Sequence, residues 1–321
     1  FHYFKQLFAQ VTNPPLDAIR EELVTSLGSF VGSEQNLFEE TPEHCHQLRL
    51  ESPVLSDSEL AQIKALDQGG PRSATIPTLF DRELGDGGLK QALNSIREQT
   101  SQAIASGSSV IVLSDRGVDS RWAPIPSLLA VSAVHHHMIR EGTRTKAGLI
   151  LETGEPREVH HFALLIGYGA GAVNPYLALA TVRDLAVRGQ INGTKPEYSQ
   201  KNLIKANQKG VLKVMSKMGI STFQSYRGAQ IFEAIGLDHA FVDRYFTWTP
   251  SRLSGVGMDV LADEALSRHR RGYPERRIRS SDILPMGGQY QWVRGQELHK
   301  YSPDAIAMLQ QAARDRDMDL Y

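Results

Sequence analysis

The chain of 321 residues carries a single cysteine, Cys45. One thiol cannot close an intrachain disulfide, complete a Cys-ligated zinc site or hold an iron-sulfur cluster, and it fits a reducing compartment, so a cytoplasmic location is expected. An excess of one charge is lacking too, with 35 Lys and Arg against 36 Asp and Glu and a formal net charge of -1. That balance excludes a polyanion-binding face spread over the whole molecule, and nucleic acid is not an expected partner. Disorder is excluded by composition, because 41% hydrophobic and 22% charged residues match the usage of folded domains. The N-terminus, FHYFKQLFAQVTNPP, has no basic region leading into an apolar stretch and no small-residue cleavage site, so no signal peptide is read. With no initiator Met, and with a C-terminus that breaks off after a helical pattern, the expectation is a segment of a longer protein.

Only one uncharged stretch, Val159 to Val182, is long enough to cross a membrane. It is interrupted by Gly167, Gly169, Gly171 and the pair Asn174-Pro175, so a buried strand, a turn and a helix capped by Asn174 are expected instead, and no membrane association. No internal repeat or low-complexity tract is present.

What is there is an alternation of short apolar runs with longer helical ones. Strands are expected at Ile76 to Phe80, Ser109 to Asp115, Ala147 to Thr153, His161 to Gly167 and Met218 to Thr222, all apolar throughout, as for parallel strands covered on both faces. Leu89, Ala92, Leu93, Ile96, Ala103 and Ile104 fall on one face of a helix, and Pro126 with Gly142 brackets another. The fold class that follows is α/β with a parallel sheet, of a length that fits a complete or eroded (β/α) barrel. Residues before about 60 look like an arm, Arg268 to Pro285 like a solvated connection, and Ser302-Pro303-Asp304 opens a last helix.

Candidate chemistry is sparse. His135, His136 and His137 are consecutive on a helix, where neighbours diverge by about 100° and cannot converge on one metal. His44, Cys45 and His46 lack further ligands nearby, and His160 and His161 sit at the start of an expected strand. At strand ends, where barrels place their reacting groups, stand Asp115, Glu152, Tyr168, Ser221, Gln224 and Arg227, a candidate polar pocket. The bland reading is that they cap helices and satisfy loop amides. Gly167 to Ala172 fits G-x-G-x-x-A, yet no helix opens on its last glycine, so close packing or a backbone-lined passage is the better account. Lys201, Lys205, Lys209, Lys213 and Lys217 form a helical stripe that reads as a solvated face or as a dock for an acidic partner.

Longer strings carry more. FKQLFAQVTNPPLDAIREELVTSLGSFVG, ESPVLS, VHHFALLIGYGAGAVNPYLALAT, NLIKANQKGVLKVMSKMGISTFQSYRGAQIFEAIGL and GGQYQWVRGQELHKYSPDAI together resemble the central domain of glutamate synthase, the large subunit or the ferredoxin-dependent form. Two places depart from the resemblance: Trp248 stands where a small residue, usually glycine, is expected, and Arg270 to Pro285 is unlike the family.

The resemblance implies a degenerate TIM-type barrel related to the FMN domain but without flavin. Residues 1–60 would be an arm at the junction with an absent amidotransferase domain, 61–290 the barrel-like domain, and 291–321 a linker toward an absent FMN-binding domain. The implied parent converts L-glutamine, 2-oxoglutarate and reductant to two L-glutamate, with ferredoxin or an NADPH-linked subunit as electron donor. FMN and an iron-sulfur cluster would belong to the neighbouring domain, leaving no catalytic, cofactor or metal residues here. The segment would space the two active sites and line part of an ammonia tunnel, with Val11, Thr12, Asn13 and Pro14 as wall residues. The alternatives are a free-standing FMN-dependent barrel oxidoreductase, with phosphate held near Ser221 and Arg227, and a docking module for an acidic protein.

Overall fold

Two adjacent five-residue strands with every position buried form the centre of the molecule, β6 (Val110–Ser114) and β8 (Gly148–Glu152). The computed structural model describes residues 1–7, 16–17, 19–67, 70–191, 195–274, 292 and 299–321. Val11, Thr12, Asn13 and Pro14 lie outside the described residues, as do residues 275–285 of the arginine-rich connection. The chain divides into two compact units, Phe1–Ile278 and Arg279–Tyr321.

In the first unit the arm contributes β1 (Phe4–Gln6), α1 (Glu21–Val24), β2 (Ser29–Gly32), β3 (Gln47–Leu50) and α2 (Asp57–Lys64). A reciprocal capping box starts α2, Ser56 Oγ accepting from Glu59 N–H and Glu59 from Ser56 N–H. Then follow β4 (Ser73–Pro77), β5 (Leu79–Asp81), α3 (Gly85–Ala105), β6, β7 (Trp122–Pro124), α4 (Ser127–Arg140), β8, α5 (Val159–Gly167), β9 (Ala172–Asn174), α6 (Tyr176–Val187), α7 (Pro196–Lys217) and α8 (Phe223–Tyr226). β10 (Phe232–Leu237), α9 (His239–Tyr245), β11 (Ser251–Val256) and α10 (Met258–Gly272) complete it, and the second unit contains α11 (Pro303–Asp315), opened by Ser302 as read from sequence.

Strands β4, β6, β8 and β9 pair in that order, all parallel, which makes the fold mixed α/β around a parallel sheet. The strand alternation gives this sheet two apolar faces. Ile111, Leu113, Leu149 and Leu151 pack with Leu89, Leu93 and Ile96 of α3 and the apolar residues of α4 and α5. Val110, Val112 and Ile150 pack on the opposite face with Val31, Leu55, Leu60 and Ile63 of the arm. The arm thus covers the face that a closed barrel would turn inward.

Among the described residues no barrel closes. β9 has three residues, pairs with β8 and on its other side makes one isolated bridge, Val173 to Val54 of the arm, whereas β10 lies in a separate sheet, antiparallel to β1 and parallel to β11 through irregular register. The helical layer does return on itself, since α10 packs against α3.

Four sequence readings are corrected. His161 to Gly167 is helix α5, because a helix buried on every side shows no polar face and its apolar run looks like that of a buried strand. Met218 to Thr222 is no strand: Gly219 turns the chain at φ +73 and Thr222 makes one isolated bridge, to Ser26. Asn174 ends β9 opposite Glu152 instead of capping α6, and Pro175 takes the cap position. Arg268 to Gly272 belongs to α10, with His269 buried, and is not a solvated connection. Trp248, exposed, adopts φ +65, the left-handed conformation that suits the glycine expected there. Among the described residues no helix is long and apolar enough to cross a membrane; Val159 to Val182 falls into α5, β9 and α6.

Candidate functional site

Ladder register places Ser114, Glu152 and Asn174 side by side at the carboxyl ends of β6, β8 and β9. Residues in register on parallel strands point to the same face, here the face covered by the arm. Glu152 is the hub. Its Oε2 accepts from Ser114 Oγ at 2.5 Å and from Lys64 Nζ of α2, and its Oε1 accepts from Arg116 Nε at 2.6 Å. Burial pushes the Glu152 carboxyl up, but these three donors outweigh it and hold it below the usual carboxylate range. Arg116 also reaches Asp57 at 3.4 Å and stacks over the Tyr176 ring at 4.3 Å. Asn174 Nδ2 donates to Leu55 O and Asp57 Oδ1, both at 3.0 Å, tying the arm to the sheet end.

Asp115, one position beyond Ser114, turns to the other face. It accepts from Thr153 Oγ1 at 2.6 Å and from Gly154 N–H at 3.1 Å. Burial pushes its carboxyl up to about 6, with hydrogen bonds from Thr153 and Tyr176 opposing the rise. Chemically, Asp115 can hold a proton near pH 6, and Glu152 fixes two cations. Asp115 and Glu152 are each 3% exposed, and their oxygens are occupied by this chain's own donors.

Of the six residues read as a polar pocket, Asp115 and Glu152 are neighbours at the sheet end, Asp115 N–H donating to Glu152 O at 3.0 Å, but their side chains turn to opposite faces. Tyr168 packs among Phe4, Phe232 and Phe246 with its hydroxyl 2.8 Å from Thr249 Oγ1. Ser221, Gln224 and Arg227 each hold the arm: Ser221 O accepts from Ser26 N–H, Gln224 Nε2 donates to Phe30 O at 3.3 Å, and Arg227 pairs with Glu34 at 3.5 Å. Lys64 and Tyr176 were missed, and Lys64 lies 88 positions before its partner Glu152 with no local pattern to announce it.

The opposite end of the sheet is filled by shape. A Cβ on Gly148 would lie 2.3 Å from Val31, one on Gly169 2.4 Å from His135 Nδ1, and one on Gly167 2.6 Å from Phe232. A Cβ on Gly171 would lie 3.1 Å from Val31, so the space beside Gly167 to Ala172 is taken by this chain's own side chains. Arg144 binds this end together, donating to His135 Nδ1, Ala147 O and Gly169 O at 2.9 to 3.0 Å. Burial, then the charge of Arg144, push His135 down to about 2, so the ring is neutral with its proton on Nε2.

Three further histidines are bonded by this chain's own groups. His161 accepts from Arg157 N–H through Nδ1 and donates from Nε2 to Glu158, and burial lowers it to about 3, so it too is neutral. His137 meets Ser101 at 2.8 Å, and His44 meets Glu39 O at 2.6 Å. Among the described residues no cluster of three or more His, Cys, Asp or Glu is arranged to hold a metal. A groove of about 550 Å³ runs along α3, lined by Phe80, Leu84 and Trp122 among others. Asp81, Gln91 and Arg121 also line it, and neither Asp115 nor Glu152 does. Two lysines of the α7 stripe pair with the arm, Lys209 with Glu22 at 3.0 Å and Lys213 with Glu21 at 3.4 Å.

Residues 1–238 match the family model described as the glutamate synthase central domain. Over its whole length the chain is 47% identical to the NADPH glutamate synthase large chain of Bacillus subtilis, of which it covers 20%. It is 43% identical to the NADH glutamate synthase of Saccharomyces cerevisiae over 99% of this chain and 15% of that protein. It is 40% identical to the ferredoxin-dependent glutamate synthase of Pyropia yezoensis over 100% of this chain and 21% of that one. The chain therefore spans about a fifth of the length of the curated relatives it matches. Among solved structures, flavocytochrome b2 with pyruvate bound is 14% identical over 60% of this chain and 40% of that one, with a TM-score of 0.34.

Proposed function

The chain belongs to the glutamate synthase central-domain family, and from that premise we propose that it is a non-catalytic segment of a glutamate synthase large chain. It spaces an amidotransferase domain from an FMN domain of the same polypeptide and contributes wall to the passage that carries ammonia between them. The observation that carries this reading is the collinear identity, over nearly the whole chain, to about a fifth of NADPH-, NADH- and ferredoxin-dependent relatives alike. A segment shared by all three donor types is suited to a task indifferent to the electron donor.

Physical features of the sheet support the same reading. Its carboxyl end is saturated by Lys64, Arg116, Ser114 and Thr153, and its amino end is closed by Val31, His135 and Phe232. The segment is proposed to hold no flavin of its own. Its fold is read as an eroded (β/α) barrel: four parallel strands persist, α10 returns to α3, and the arm occupies the inner face.

The tunnel wall is assigned to Val11, Thr12, Asn13 and Pro14. Backbone carbonyls and small polar side chains suit neutral ammonia, which charged groups would protonate or trap. The test is Thr12→Trp in the full-length enzyme. Glutamine hydrolysis is expected to continue while glutamine-dependent glutamate formation falls several-fold and synthesis from added ammonia is kept. A wild-type ratio of the two rates sinks the tunnel assignment. A visible spectrum of the 321-residue chain after incubation with FMN and gel filtration tests the flavin statement, and retained stoichiometric flavin overturns it.

A further inference from the structure

We infer that the turn Asn36–Glu39 is a docking knob that enters an apolar, basic-rimmed socket on another part of the parent polypeptide, an inference that rests on the proposed membership of a longer glutamate synthase chain. Leu37 and Phe38, at the tip, are 91% and 96% exposed. Large apolar side chains at near-total exposure usually belong to floppy ends, where nothing holds them outward. Here the backbone beneath them is pinned. Asn36 Oδ1 accepts from Phe38 N–H at 3.1 Å, Asn36 O from Glu39 N–H at 3.0 Å, and Asn36 Nδ2 donates to Glu39 Oε1 at 3.1 Å.

The flanks are fixed as well. Glu39 O accepts from His44 Nε2, and the next turn is a 3-10 helix, Pro42–Cys45, opened by proline. At the base, Glu34 N–H donates to Thr145 O at 2.7 Å, Gln47 Nε2 donates to Ser33 O at 3.0 Å, and β2 pairs with β3. A tip ordered before contact has already lost the conformational freedom that binding would otherwise remove, as suits a preorganised anchor. An aromatic beside a leucine is the side-chain pair that fills a pocket.

Charge states what the socket carries. From Ser33 to His46 the sequence has four glutamates, Glu34, Glu39, Glu40 and Glu43, and no Lys or Arg. Glu34 is paired with Arg227, and Glu39, Glu40 and Glu43, all exposed, follow the apolar tip within five residues, so the complementary surface is apolar at its centre and basic at its rim. Size decides the occupant. Two side chains bury far less than the ~1,000 Å² that a stable complex of free proteins needs. A tethered neighbour works at an effective concentration in the millimolar range, where so small a contact is populated. The curated relatives are about five times as long as this chain, so tethered surface is available within the same polypeptide.

Amide hydrogen exchange at Leu37 to Glu40, in the 321-residue chain and in the full-length parent, tests the knob. Exchange at least tenfold slower in the parent is expected. Leu37→Glu with Phe38→Glu in the parent should abolish that slowing while the β2 and β3 amides stay protected, which reports that the fold is kept. Equal exchange in the two polypeptides overturns the proposal. Slowing that appears in the 321-residue chain alone and grows with its concentration overturns the occupant in favour of a second copy. Protection of the tip in a parent without glutamate synthase activity upholds the docking while the functional reading fails.

Discussion

The two ends of the parallel sheet are closed in opposite ways. At the carboxyl end, polar groups meet polar groups: Glu152 gathers Ser114, Lys64 and Arg116, and Asp115 gathers Thr153 and Gly154. At the amino end, glycines leave room for side chains from elsewhere: Val31 over Gly148, His135 over Gly169, Phe232 over Gly167. Closure by charge depends on protonation and salt, whereas closure by shape depends on volume. An enzyme built on this layout would leave its carboxyl end open to substrate. Here that end binds the arm, through Lys64 on Glu152 and Asn174 on Leu55 O.

Volume should produce the largest effect. Gly169 has φ +114 and no room for a methyl group, so Gly169→Ala is expected to cost about 3 kcal/mol in urea unfolding, from backbone strain and overpacking together. Glu152→Gln should cost less, about 1–2 kcal/mol, because its cationic partners Lys64 and Arg116 are partly exposed and can turn to water. Adding 1 M NaCl should shrink only the second difference. Equal salt response in both variants would erase the distinction between the two ends.

Acid separates the ends next. Asp115 is raised to about 6, above its unfolded value, so its protonated form favours the fold, and that contribution is lost as pH rises from about 4 through 6. His135 is lowered to about 2, so its contribution is present above about 6.5 and is lost as pH falls below that. Between pH 4 and 6 the two groups therefore have opposite slopes, each up to about 1.4 kcal/mol per pH unit. Stability measured against pH should become steeper toward acid loss in Asp115→Asn and flatter in His135→Gln. The same slope in both variants and the wild type refutes these assignments.

The smallest effect is expected on the exposed ion pairs of α7 with the arm. Lys209→Glu should cost no more than about 0.5 kcal/mol, because solvent already screens its contact with Glu22. A cost of several kcal/mol would mean that charge, and not the apolar contacts of Val31, Leu55, Leu60 and Ile63, holds the arm in place.

Much was legible in the residues. β6 and β8 stood out as continuous apolar runs, α3 through its 3.6-residue period, and α4 through Pro126 and Gly142. The family was legible in long collinear strings. Of the candidate site, Asp115 and Glu152 were found because strand ends can be read from the runs that precede them. Gln224 and Arg227 were named too, but their partners Phe30 and Glu34 lie more than 190 positions away, which no local pattern reports.

The sequence by itself determined the parallel α/β core, its main helices and the family, because periodicity, caps and collinear identity are properties of neighbouring residues. Only the tertiary structure decided that α5 is a helix, that no barrel closes among the described residues, and that the arm supplies Lys64 to Glu152 and Val31 to Gly148. The physical reason is that burial on both faces leaves the same apolar run whether the covering layer is a strand, a helix or an arm, and the identity of that layer is settled by packing between residues far apart in the chain.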